Sequence, residues 1–77
     1  MKKTSPSALD ALIGQQLKRR RIKRKKTQPD LANILNLSFQ QIQKYENGKN
    51  KIPSSSLYLL SKYLKTDIGY FFKDMRD

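Results

Sequence analysis

A chain of 77 residues has room for one domain with a modest apolar core. It contains no cysteine and no histidine, which removes disulfides, thiolate and imidazole metal sites, and the commonest nucleophile and general base. Its net charge is +11, from 17 Lys and Arg against 6 acids, so the readings to separate are a polyanion partner, an acidic lipid surface and a purely solvating face.

The six carboxylates, Asp10, Asp30, Glu46, Asp67, Asp74 and Asp77, are scattered. No two stand at the spacing of a metal-binding or acid/base pair, so neither catalysis, a metal nor a cofactor is expected. The longest apolar stretches, such as Leu57 to Leu60, are far too short to span a bilayer. No secretory signal is recognisable, and a cytoplasmic location is expected. The positive charge is concentrated in residues 18–26, KRRRIKRKK, where eight of nine side chains are basic.

Residues 1–5 read as a loose arm. Ser5 followed by Pro6 is a helix start, because Ser caps free amides and proline at the first helical position gives up no hydrogen bond. Leu9, Ile13 and Leu17 then recur every four residues as the inner stripe of a helix over 6–24. Thr27 with Asp30 has capping-box spacing, with Asp in place of Glu or Gln, and opens a second helix over 28–35 whose inner face is Leu31, Ala32 and Leu35. Asn36 tolerates the left-handed conformation of a tight helix exit. Leu37 is expected to plug the core, and Ser38 with Gln41 suggests a second capping box at the head of a helix over 39–46 that Gly48 terminates. A polar loop leads to three serines, 54–56, any of which can cap a fourth helix over 55–64 with Leu57, Leu60 and Leu64 inward. Asp67 is expected to cap a last short helix over 68–73 carrying Ile68, Phe71 and Phe72. Alternation with period two is absent, as is any internal repeat, so the expected fold is an all-α, compact five-helix bundle.

Two helices joined by a turn of about three residues form a helix-turn-helix unit, whose second helix lies in the DNA major groove. On a wheel of about 100° per residue, Ile42, Tyr45 and Glu46 fall on one side of the third helix. Gln40, Gln43, Lys44 and Asn47 fall on the other, with Phe39 and Gln41 at the boundary. Amides and an ammonium are groups that pair with adenine or donate to guanine at the groove edge. Such a face alone is more often plain solvated surface; behind a capped turn in so basic a chain, DNA becomes the better reading.

These residues resemble the Cro/CI-type (XRE-like) helix-turn-helix family of bacterial and phage regulators, the lambda-repressor-like fold. The resemblance runs from Ile13 to Phe72 through IG at 13–14, Arg21, TQPDLA at 27–32, LSFQQIQKYENGKNKI at 37–52 and LYLLSKYL at 57–64. It implies a five-helix DNA-binding domain acting as a homodimer on a two-fold symmetric operator. By resemblance, Gln28 contacts a phosphate at the start of the second helix, and Asn47, Lys49 and Lys51 form a phosphate clamp beyond the third, joined by Gln43. Gln40 and Lys44 are the expected base readers, followed by Gln41 and Phe39, the last either touching a thymine methyl or packing on the turn. The resemblance also pairs Arg21 with Glu46 in a partly buried salt bridge that orients the third helix. Two departures stand out: Lys25 and Lys26 occupy positions where the family usually has Gly or Asn and an apolar residue, and Ile22 is expected to fill the gap.

Tyr70, Phe71, Phe72 and Met75 exceed what a small domain easily covers, so part of this cluster is expected to form the dimer interface. The favoured function is a sequence-specific transcriptional regulator, a repressor, of double-stranded DNA, with no small-molecule ligand and no membrane partner. The rivals are an antitoxin-type interaction module that also binds its operator, and a nonspecific polyanion or membrane-surface binder driven by residues 18–26.

Overall fold

Four α-helices and a terminal 3-10 helix run through residues 6–73, the part of the chain that the computed structural model describes. They are α1 (Pro6–Lys23), α2 (Gln28–Leu35), α3 (Phe39–Glu46), α4 (Ser54–Tyr63) and the 3-10 helix Ile68–Phe72. No strand occurs among the described residues, and the class is all-α. The expected fifth α-helix is instead this 3-10 segment of five residues. Met75 and the arm over 1–5 lie outside the described residues.

Local chemistry explains where the helices start. Thr27 accepts from the Asp30 N–H at 3.2 Å while Asp30 Oδ2 accepts from the Thr27 N–H at 2.8 Å, a complete capping box. Those bonds hold the Asp30 carboxyl below the usual carboxylate range. Because its folded value is the lower one, the box contributes stability above the ordinary carboxylate pKa and loses it as pH falls through the depressed value. At α3 only half a box forms. Ser38 accepts from the Gln41 N–H at 3.3 Å, but the Gln41 side chain turns away to Asn50. The serines before α4 do not cap it either: Ser54 is already its first residue, Pro53 precedes it, and no side-chain cap bond is made. Asp67 likewise makes no side-chain cap bond.

All four α-helices end the same way. In each, a residue one or two positions past the end adopts positive φ: Lys25 at 58°, Asn36 at 57°, Gly48 at 75° and Lys65 at 56°. The following N–H reaches back five residues, as Lys26 to Arg21 at 3.0 Å, Leu37 to Ala32 at 2.9 Å, Lys49 to Lys44 at 2.9 Å and Thr66 to Ser61 at 2.9 Å. This is the Schellman arrangement, which satisfies carbonyls the helix itself leaves open. Glycine enters it freely and asparagine nearly so, whereas a lysine Cβ is crowded there. Lys25→Gly is therefore expected to raise stability by about 1 kcal/mol, a gain of roughly 5 °C in melting temperature for a domain this small. A calorimetric scan showing no gain would mean that the turn relaxes around lysine.

The core lies where α1 crosses α3 and the 3-10 helix, and where α2 meets α3 and α4. Leu17, Leu31, Ile42, Leu60, Leu64 and Phe71 are wholly buried, with Ala32, Tyr45 and Leu57 nearly so. Ile13, Leu35, Ile52, Tyr63 and Tyr70 pack around them. Two expected core residues are not there: Leu37 is 40% exposed and Ile22 is 56% exposed. Leu37 follows the left-handed Asn36, and its backbone is spent on the helix exit. At the α1 exit Lys26 itself does the covering, half-buried with Nζ 5.2 Å from the Tyr63 ring centroid. Arg20 ties the far end of the domain together. Its Nε donates to Leu64 O at 3.0 Å and its Nη2 to Lys65 O at 2.6 Å, so a cation meets the C-terminal dipole of α4.

Candidate nucleic-acid interface

The third helix is held by its inner side and leaves its outer side open. Ile42 is fully buried, Tyr45 and Glu46 nearly so, and Gly14 on α1 lets their backbone approach. The Glu46 carboxylate is gripped from three directions. Arg21 Nε donates to Oε2 at 2.6 Å, Arg21 Nη2 donates to Oε1 at 3.0 Å, and Gln28 Nε2 donates to the same Oε1 at 3.0 Å. The third guanidinium nitrogen, Nη1, donates to Lys26 O at 3.1 Å. Since the Glu46 side chain is only 2% exposed and that of Arg21 12%, this charge pair is paired, bidentate and largely dry. One carboxylate thereby joins α1, the head of α2 and the end of α3.

On the outer side Phe39, Gln40, Gln43 and Lys44 are exposed, as are Asn47, Lys49 and Lys51 beyond the helix. Phe39 is 43% exposed. Gln41 is half-buried, and its Nε2 donates to Asn50 Oδ1 at 3.2 Å. Gln28 is half-buried beside Glu46. The surface is thus a band of side-chain amides and ammonium groups, with one aromatic ring at its leading edge. Chemically it can donate and accept along a groove edge and neutralise phosphates on either side.

The basic run divides in two. Arg20, Arg21 and Lys26 are engaged within the fold, whereas Lys18, Lys23, Arg24 and Lys25 are exposed. At the other end, Phe71 is fully buried in the core, which removes it from the residues expected at a dimer interface. Packing under α1 takes it inward. Tyr70 is half-buried, with Arg20 Cζ 5.6 Å and Lys73 Nζ 4.5 Å from its ring centroid, and Phe72 is 40% exposed. Sequence reading missed the Gln28–Glu46 bond, the Gln41–Asn50 bond and the Arg20 staple. Each joins residues on separate elements, and no local pattern signals it. Among the described residues no group of His, Cys, Asp or Glu could hold a metal ion, and no helix is long and apolar enough to cross a membrane.

Comparison with known proteins points the same way. The helix-turn-helix family pattern matches residues 17–71. Over 69 residues the chain is 41% identical to an uncharacterized HTH-type transcriptional regulator of Sinorhizobium fredii (strain NBRC 101917 / NGR234), which covers 90% of this chain and 48% of the relative. It is 46% identical over 67 residues to an uncharacterized transcriptional regulator in the ATPase CF(0) region of Rhodospirillum rubrum, covering 87% of this chain and 62% of that protein. A further HTH-type transcriptional regulator of Sinorhizobium fredii is 34% identical over 76 residues, 99% of this chain and 53% of the relative. The chain thus spans about half the length of the relatives it matches. With two helices joined by a tight left-handed turn, a polar outer face on the second and a pattern match over most of its length, the chain belongs to the helix-turn-helix family in its XRE-like, Cro/CI-type form.

Proposed function

We propose that this chain is a sequence-specific, double-stranded-DNA-binding transcriptional regulator that places α3 in the major groove and represses by occupying its operator. The observation that carries the reading is the exposure of Gln40, Gln43 and Lys44 on a helix whose opposite face is anchored by Ile42, Tyr45 and Glu46. A rigid rod with a polar outer face is what direct readout requires. Phe39, Gln40, Gln41 and Lys44 read bases in this proposal. Gln28, Gln43, Asn47, Lys49 and Lys51 hold phosphates, Gln28 with the amide hydrogen that Glu46 leaves unused. The names of the relatives, transcriptional regulators, support the same function. Such a protein works where the DNA is, in the cytoplasm of a bacterial cell. Exposed Phe72 with half-buried Tyr70 offers a small apolar surface for a second copy, whose α3 would then enter a major groove about 34 Å away on a palindromic site.

Selection of binding sites from random duplex DNA tests the proposal. An enriched two-fold palindrome supports it, and retention of DNA without enrichment would reduce the chain to a nonspecific polyanion binder. Within that assay, Lys44→Ala is expected to change preference at one or two base positions. Lys51→Ala should instead weaken all sequences alike and lower the salt slope by about 1. Identical behaviour of the two variants would refute the division of roles.

A further inference from the structure

We infer that Asn50, in the loop after α3, is a positioning residue for base recognition, acting through Gln41 so that the two amides read DNA as one unit. This inference rests on the proposed DNA-reading role of α3. The observation behind it is the hydrogen bond from Gln41 Nε2 to Asn50 Oδ1 at 3.2 Å, across nine residues of sequence. Among the described residues, Gln41 is the only one of the four proposed base readers with such a side-chain bond to another residue of the outer surface. The Asn50 N–H lies 3.4 Å from Lys44 O, which fastens the loop to the last turn of the helix.

The physical consequence concerns freedom and polarity together. A surface glutamine samples many rotamers, and ordering it on DNA costs binding energy. Held by Asn50, Gln41 has lost much of that freedom before the encounter. The bond also sets which way the amide faces: with Nε2 donating to Asn50, Gln41 Oε1 stays available as an acceptor, while Asn50 Nδ2 adds donors beside it. An acceptor next to a donor is the pattern that complements an adenine edge. Gln41 comes from the helix and Asn50 from the phosphate-flanking loop, so the pair joins the reading surface to the clamp formed by Lys49 and Lys51.

The test compares Gln41→Ala, Asn50→Ala, the double variant and Asn50→Asp by site selection and by titration on the selected duplex and on single-base variants of it. Circular dichroism melts serve as a check on folding, and because Asn50 is exposed and Gln41 lies outside the core the variants are expected to melt with the wild type. Each alanine variant should lose about tenfold of its preference at the same base position, with the double variant no worse than either single one. Asn50→Asp keeps the acceptor for Gln41 Nε2, so preference at that position should be largely retained while affinity falls for every sequence because a negative charge enters the clamp. Loss at different positions, additive losses, or a uniform weakening by Asn50→Ala with the preference intact would each overturn the inference. If the wild-type chain enriched no site, the proposed function itself would fail, an outcome distinct from enrichment that is indifferent to Asn50.

Discussion

Gly14→Ala is expected to destabilise the domain by about 2–3 kcal/mol and to lower its melting temperature by roughly 10–20 °C. A Cβ at position 14 would lie 2.2 Å from Tyr45 O and 2.9 Å from Glu46 O. Both are backbone atoms at the end of α3, so no rotamer change relieves the contact. The helices must move apart. In an exposed helix the same substitution would gain about 1 kcal/mol in propensity, and here the clash outweighs it. Separation would also loosen Ile42 and Tyr45 in the core and stretch the Arg21 fork to Glu46. DNA affinity should fall along with stability, because the outer face of α3 is only as well oriented as its inner contacts. A melt at or above the wild-type temperature would show that α1 and α3 can slide without cost, against the close approach at Gly14.

Glu46→Gln is the second large effect, with an expected loss of about 3 kcal/mol. The carboxylate accepts two bonds from Arg21 and one from Gln28. Its amide replacement keeps a single acceptor oxygen and turns an NH2 toward groups that are themselves donors. Arg21, with a side chain 12% exposed, is left as a charge with neither water nor counter-ion in full measure. The consequence can be separated from a generic packing defect by a double-mutant cycle with Arg21→Met. The double variant should recover much of the loss, because a buried ion pair exchanged for apolar groups often costs little. Strictly additive losses in chemical denaturation would argue that the pair does not act as one unit.

Much of the fold was legible in short-range signals. Thr27 and Asp30 marked the start of α2, Asn36 and Gly48 marked helix exits, and the spacing of Leu57, Leu60 and Leu64 marked the inner side of α4. These are cases in which a residue's chemistry acts on backbone atoms within four or five positions. Signals failed where several local solutions had similar energy. Ser38–Gln41 has the spacing of a capping box, yet Gln41 finds a partner in Asn50; serines 54–56 can all cap, yet Pro53 precedes the helix and none of them does. Leu37 and Ile22 look like core residues by composition, yet Leu37 lies just past the left-handed Asn36 and Ile22 sits on α1 off the stripe of Leu9, Ile13 and Leu17, and both are exposed. Lysine at the left-handed exits of α1 and α4 runs against local preference, and the backbone bonds of the exit hold it there.

For the recognition surface the division is similar. Periodicity alone separated the side of α3 bearing Ile42, Tyr45 and Glu46 from the side bearing Gln40, Gln43 and Lys44, because a helix turns by the same angle per residue in any protein. What periodicity cannot supply is which distant groups meet. The amino-acid sequence by itself determined a strongly basic, all-helical domain whose helix-turn-helix carries an amide-bearing second helix. The tertiary structure alone decided that Phe71 goes inward, that Arg20 closes the end of α4, and that Glu46 serves Arg21 and Gln28 together. The reason is geometric: helix positions follow from bonds between near neighbours, whereas these contacts depend on how whole helices pack, and packing is settled by the shape of the entire core.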